Sequence, residues 1–194
     1  MLVRDLARIQ KLESSFLSCE KDFETILRRL FIESQPHGDE LKRLLVINTQ
    51  DTLDKNNAYY NEVLESYDLS KLVQDKYIQL QTKVVQPEHA EVKTIIGISM
   101  VDFKPNRRNP QYRDCTLSFD IFSHIDYWDL GDYQVRPLKI AGYIDGLMDK
   151  SKLSGIGELQ FYSCNRLNAG YGFAGYTLMY KAIHGIDDRI PVEE

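Results

Sequence analysis

The sequence predicts an α+β fold: a mainly antiparallel β-sheet with a helix packed on it, preceded by N-terminal helices and a helical insertion. Three observations predict it. After Cys115, Leu117, Phe119 and Ile121 alternate with Thr116, Ser118 and Asp120, the period of two that marks a half-buried strand. From Val135 to Met148 the period turns helical, with Val135, Leu138, Ala141, Ile144 and Met148 recurring at three- and four-residue steps. Alternation then resumes. Gly157, Leu159, Phe161 and Ser163 oppose Glu158, Gln160 and Tyr162, and Ala174, Tyr176, Leu178 and Tyr180 follow the turn Asn168-Ala169-Gly170-Tyr171-Gly172. Strands before and after one amphipathic helix, joined by a hairpin, are the pattern of a sheet with a helix on one face.

The earlier elements follow in order. Residues 1–34 read as N-terminal helices, with one stripe of Leu6, Ile9, Leu12 and Phe16 and another of Phe23, Ile26, Leu27, Leu30 and Phe31. Gln35-Pro36-His37-Gly38 is expected to stop the helix, and Asp39 to cap a short one carrying Leu41, Leu44 and Leu45. Residues 35–76 form a helical insertion or an extension of the same domain. Within them Tyr59, Tyr60, Val63, Leu64 and Tyr67 indicate one helix, and Leu69, Leu72 and Val73 a further turn. Residues 77–185 form the α+β sheet core. Tyr77–Val85 is extended, and Val92–Phe103 is a nearly continuous apolar strand suited to the middle of a sheet. Residues 186–194 are a C-terminal tail.

Composition narrows the function classes. A net charge of -5 over 194 residues argues against a general nucleic-acid binder, which carries a basic face. Three widely spaced cysteines, with no Cys-x-x-Cys, speak against a disulfide framework or a structural zinc site. Cys115 and Cys164 fall in strands and are expected to be buried free thiols. The start, Met-Leu-Val-Arg-Asp-Leu, puts charges where a signal peptide needs an apolar core, so none is expected. No apolar run approaches the ~20 residues that span a bilayer. The expectation is a protein made in a reducing cytoplasm, soluble, with no membrane partner.

No catalytic, cofactor or metal signature is written on these elements. The four histidines lie in separate segments without ligand spacing, and His124 reads as an edge or surface residue. Asp126, Asp129 and Asp132 recur every third residue around Trp128, which is not the alternating pattern of a calcium loop. They fit a loop that caps the following helix, with Asp132 or Tyr133 as the cap and Pro137 in its first turn. Ser154-Gly155-Ile156-Gly157 lacks the third glycine and the context of a dinucleotide loop. No Gly-x-Ser-x-Gly elbow is present. The protein is expected not to be an enzyme and to take no cofactor.

Two features fit an interaction surface. One is the loop Lys104–Arg113, which carries Lys104, Arg107, Arg108 and Arg113 in an otherwise acidic chain. The other is the aromatic set Tyr162, Tyr171, Phe173, Tyr176 and Tyr180 of the hairpin, with Tyr143 on the helix. Lys104, Arg107, Arg108, Arg113 and Tyr112, together with Trp128, are the candidate partner-binding residues.

The strand CTLSFDIFSHIDYW, the helix VRPLKIAGYIDGLMD and the hairpin GIGELQFYSCNRL…GFAGYTLMYKAIH resemble the tail-terminator and tail-completion proteins of tailed bacteriophages. The resemblance covers about half of the 194 residues: the strand ending at Trp128, the Leu138–Leu147 helix, and the strands around Leu159–Phe161 and Tyr176–Tyr180. Phe23–Phe31 corresponds to the first helix of those proteins, and residues 35–76 have no counterpart. The resemblance implies a non-enzymatic virion protein, made in the host cytoplasm, that forms a hexameric ring at the head–tail neck. Its implied partners are its own copies, portal or connector proteins and tail proteins, with double-stranded DNA passing through without specific binding. Another connector component of the virion, or a protein-binding adaptor, fits the same residues.

Overall fold

A computed structural model describes residues 19–80, 93–107, 113–153, 156–170 and 172–184. The predicted stripe from Leu6 to Phe16 lies outside them, as do Arg108, Tyr112, Tyr171 and the C-terminal tail.

Helix α1 spans 19–31 and buries Ile26, Leu27, Leu30 and Phe31, the stripe that the sequence predicts. Helix α2, His37–Val46, begins two residues before the predicted cap at Asp39. The reversal is complete by Pro36, and Gly38 does not break the helix. A Cβ there would lie 2.7 Å from the Phe31 carbonyl oxygen, so this glycine serves the close approach of α1 and α2. Asp39 and Glu40 instead occupy the first turn of α2, where the helix dipole favours negative charge. Helices α3, Ala58–Glu65, and α4, Leu69–Gln74, follow. Their N-caps are Asn57 and Asp68, whose side chains accept from the backbone N–H groups of Tyr60 and Lys71.

The five-stranded sheet has the order β1-β2-β3-β7-β6. Its strands are β1, Ile78–Leu80; β2, Thr94–Pro105; β3, Arg113–His124; β6, Gln160–Gly170; and β7, Phe173–His184. Between β3 and β6 lie a short 3-10 helix, Ile125–Tyr127; helix α5, Arg136–Met148; and the small ladder of β4, Lys152–Leu153, with β5, Gly157–Glu158. Every pair in the large sheet is antiparallel except β1 with β2, which run parallel. The sheet is thus mainly antiparallel and the fold α+β. Strand β6 runs on to Gly170, so the hairpin turn is shorter than the five residues the sequence predicts.

One face of the sheet carries the main core. Leu117, Phe119 and Ile121 of β3, Ile96 and Ile98 of β2, and Leu178 and Tyr180 of β7 pack with side chains of α1, α2, α4 and α5. Tyr180 donates its hydroxyl to Asp145 of α5 at 2.8 Å, which satisfies a polar atom inside that core. The other face carries Ser99, Thr116, Ser118, Asp120, Thr177 and Lys181, with a small apolar corner of Ile95, Phe122 and Phe173 near His124.

Helix α5 buries Pro137, Ile140, Ala141, Ile144 and Met148 and leaves Leu138 exposed. The stripe is therefore rotated from the predicted one. Arg136 belongs to the observed stripe, fully buried at the first position of the helix. Its guanidinium donates to the carbonyl oxygens of Leu44 at 2.7 Å, Ile47 at 2.8 Å and Thr49 at 2.7 Å, and its Nε to that of Tyr127 at 2.7 Å. A cation at a helix N-terminus opposes the local dipole. Here it is turned onto the C-terminal carbonyls of α2, where a cation is favoured. Burial nevertheless lowers the guanidinium to about 10. The predicted side-chain cap at Asp132 or Tyr133 is absent. Val135 is the N-cap and makes no side-chain cap bond, and the Arg136 N–H is taken by the Trp128 carbonyl oxygen at 2.7 Å.

A second polar junction ties α2 to α5. Glu40 accepts from Lys55 at 2.7 Å, from the Tyr143 hydroxyl at 2.8 Å and from His37 at 3.3 Å. Burial alone would raise this carboxyl, but the bonds from Lys55, Tyr143 and His37 and the Lys55 charge outweigh it and bring it down to about 2. Burial and Glu40 together raise the Tyr143 hydroxyl. Because the Glu40 value is depressed, its stabilisation is present above the ordinary carboxylate range and is lost as pH falls through that range toward about 2. After discounting for partial exposure, this is worth about 1–2 kcal/mol. Glu40→Gln is expected to remove that stability at pH 7 and to flatten the loss between pH 5 and pH 2, read from urea midpoints across that range. An unchanged acid slope in the variant would assign the linkage to other carboxylates.

Candidate functional site

The two ends of β3 carry different chemistry. At the Arg113 end a cleft of about 500 Å³ opens on the polar face of the sheet. Asp102, Lys104, Thr116, Glu158, Tyr162 and Lys181 line it. The register brings them together, since Thr116 lies opposite Lys181 and Lys104 opposite Asp114. An irregularity between Val101 and Lys104 places Asp102 at a φ of 60°, in the left-handed region that a non-glycine residue seldom occupies. A second irregularity, between Phe161 and Ser163, puts Tyr162 on the same face. There the Lys181 Nζ stands 4.5 Å from the centre of the Tyr162 ring, a cation–π contact.

At the His124 end the strand runs into the 3-10 helix. His124 accepts from the Asp126 N–H, faces the Asp126 carboxylate at 3.2 Å and meets the Phe173 ring edge-on. Trp128 donates its Nε1–H to the Ser123 carbonyl oxygen at 3.0 Å. Beyond it Asp129 pairs with Val135 and closes a tight loop whose tip, Tyr133, is fully exposed. Asp126, Asp129 and Asp132 are all exposed around that tip.

The structure separates the sequence-predicted residues into groups. Lys104 lines the cleft, and Arg107 lies in the bend just past the last pair of the β2–β3 ladder. Lys104 and Arg113 are strand residues, so the predicted loop is narrower than Lys104–Arg113. Arg113 shares the helix-side face with Cys115 and Leu117. There its charge acts on Cys19 of α1, opposing the burial and the Asp22 charge that raise that thiol. Arg108 and Tyr112 lie outside the described residues. Trp128 stands at the opposite end of β3 from Lys104, Arg107 and Arg113.

Of the aromatic set, Tyr180 and Phe173 are buried, Tyr143 and Tyr176 are half-buried, and Tyr162 is exposed. Cys115 is buried, as its strand position implies, whereas Cys164 is exposed because β6 is the outer strand of the sheet. Sequence reasoning missed Asp102, Lys181, Tyr133 and Arg136. Only Arg136 carried a signal, a cation set at the start of an apolar helix. Among the described residues no group of three His, Cys, Asp or Glu side chains is placed to hold a metal ion, and no helix is long and apolar enough to cross a membrane.

A family model, YomW, matches residues 39–182. The chain belongs to the YomW family. The match runs from the first turn of α2 to the end of β7 and so contains the Arg136 junction and both ends of the sheet. The YomW name is phage-derived, from an SPbeta-like prophage, which agrees with a phage origin. No curated protein matches the chain.

Proposed function

We propose that this YomW-family protein is a non-enzymatic structural component of a tailed-phage particle, one subunit of a ring, hexameric by resemblance, at the head–tail neck. One observation carries the reading. The mixed-charge cleft, with Lys104 and Lys181 among Asp102, Asp114 and Glu158, and the acidic turn with Asp126, Asp129 and Asp132 stand at opposite ends of one strand. A ring of identical subunits needs two different, mutually complementary patches related by a rotation that closes. The prophage name of the family and the resemblance to tail-terminator proteins support the setting. Portal or connector proteins on one side and tail proteins on the other are the partners this places next to it. The net charge of -5 suits a passage that lets DNA slide without gripping it.

The test is quantitative mass spectrometry of purified particles of the phage that encodes the chain. The expected result is a few copies per particle, six for one hexameric ring, in the neck fraction after heads and tails are separated. Absence of the chain from mature particles would overturn the reading and favour an adaptor.

A further inference from the structure

We propose that the outer edge of strand β6 pairs antiparallel with β6 of a second copy of the chain, centred on Asn165, and so joins the two large sheets into one. The inference is independent of the ring reading, because a twofold contact closes at two copies.

The two edges of the sheet are unequal. At one, β1 pairs only with Ile96–Ile98 of β2. Beyond that, β2 is broken by the irregularity between Val101 and Lys104, with Asp102 at a φ of 60°. A very short strand and a bulge are devices that blunt an edge against further pairing. At the other edge β6 runs for 11 residues, and among the described residues no strand pairs with its outer side. From Ser163 to Asn168 it keeps an unbroken register with β7. The strand holds no proline, no lysine and a single charge, Arg166. Cys164, Asn165, Arg166 and Asn168 are all exposed. An open edge of this kind presents a row of backbone N–H and C=O groups that another extended strand matches.

The side chains select a second copy and a register. Cys164 lies opposite Leu178 of the main core and Arg166 opposite Tyr176, so both project on the face that carries the helices. There Asp145 of α5 stands near Cys164, whose thiol is raised by burial and then by the Asp145 charge. Asp145 accepts from the Tyr180 hydroxyl, but among the described residues neither it nor Arg166 has an ion-pair partner. With Asn165 opposite itself, Arg166 of each copy falls opposite Cys164 of the other and beside the other's Asp145. The twofold makes that charge pair twice. The Asn165 amide, donor and acceptor at once, meets its own counterpart at the centre. A centre at Arg166 would instead set two guanidinium groups face to face, and like charges directly opposite are destabilising.

The experiment is light scattering of the full chain under reducing conditions over a concentration series, with hydrogen exchange of the β6 amides at its two ends. Wild type is expected to pass from a monomer to a species of twice the mass, and the amides of Ser163–Asn168 to exchange more slowly as it does. Cys164→Lys puts a second cation opposite Arg166, and the symmetry repeats the repulsion, so the dissociation constant should rise about tenfold. Arg166→Glu sets an anion against Asp145 and should raise it by a similar factor. The two substitutions together oppose unlike charges and should recover most of the wild-type affinity, a rescue that requires position 164 of one copy to face position 166 of the other. Both positions are exposed, so all three variants should melt within a few degrees of wild type, which separates lost pairing from lost folding. A wild type that stays monomeric at every concentration would overturn the edge pairing. So would an assembly of any size that these variants leave unchanged, and in either case the ring reading would still rest on the particle assay.

Discussion

Arg136→Met is expected to lower stability by about 3–5 kcal/mol, the range seen when a buried charged network loses one partner. Four carbonyl oxygens, of Leu44, Ile47, Thr49 and Tyr127, share this one guanidinium. Methionine fills much of the volume but donates nothing, so buried acceptors are left unpaired at about 1–3 kcal/mol each where water cannot reach them. Release of the guanidinium from its burial cost returns part of that loss, because its depressed value of about 10 shows that the charge is not comfortable there. Acceptor loss wins because four groups are stranded for one charge removed. In a chain of this size each kcal/mol moves the melting temperature by about 2–4 °C, so a drop of about 6–20 °C is expected. Arg136→Lys should recover only part of it. One ammonium cannot span the end of α2, Thr49 and Tyr127 as a planar fork does. A loss under 1 kcal/mol in urea titration would mean that water enters and replaces the guanidinium.

Much of the sheet was legible because its signal is local. Leu117, Phe119 and Ile121 alternate in the sequence and are all fully buried on one face. The helical stripe of α1, with Ile26, Leu27, Leu30 and Phe31 buried, is likewise set by residues three or four apart. What could not be read depends on neighbours distant in the chain. Periodicity alone puts Leu138 on the buried stripe of α5, yet the buried face also holds Arg136, whose partner is the end of α2, some ninety residues earlier. Alternation describes Cys164 as well as Cys115, but only strand order makes β6 the outer strand and exposes Cys164. Nor does sequence show that β1 runs parallel to β2, or that a bulge turns Asp102. The site fared less well than the fold for the same reason. Lys104 and Lys181 come together only through the register of three strands, and Trp128, a candidate partner-binding residue, holds the strand end through the Ser123 carbonyl.

Gly175→Ala is expected to cost more than about 4 kcal/mol, a size reserved for a few mechanisms such as severe overpacking. Gly175 lies opposite Phe122 in the β3–β7 ladder, at the centre of the sheet. A Cβ there would overlap the Ile121 carbonyl oxygen, a backbone atom of the middle strand. A flexible side chain could step aside, but this oxygen cannot. Moving it would break the pairing of β3 with β2 or β7 and disturb Ile121 and Phe119, both fully buried. Against a total stability of about 5–15 kcal/mol, such a loss leaves little folded protein at 37 °C. The control is the same substitution elsewhere. Gly142 and Gly146 lie on the exposed side of α5, and a Cβ at either meets nothing within 4 Å. Alanine there should stabilise by about 0.5–1 kcal/mol, since it removes the entropy that glycine loses in a helix. Thermal melts of the three variants therefore test geometry against residue type, because the chemical change is identical and only the surroundings differ. If Gly175→Ala melted within a few degrees of wild type, β3 and β7 would have to be further apart than this register places them.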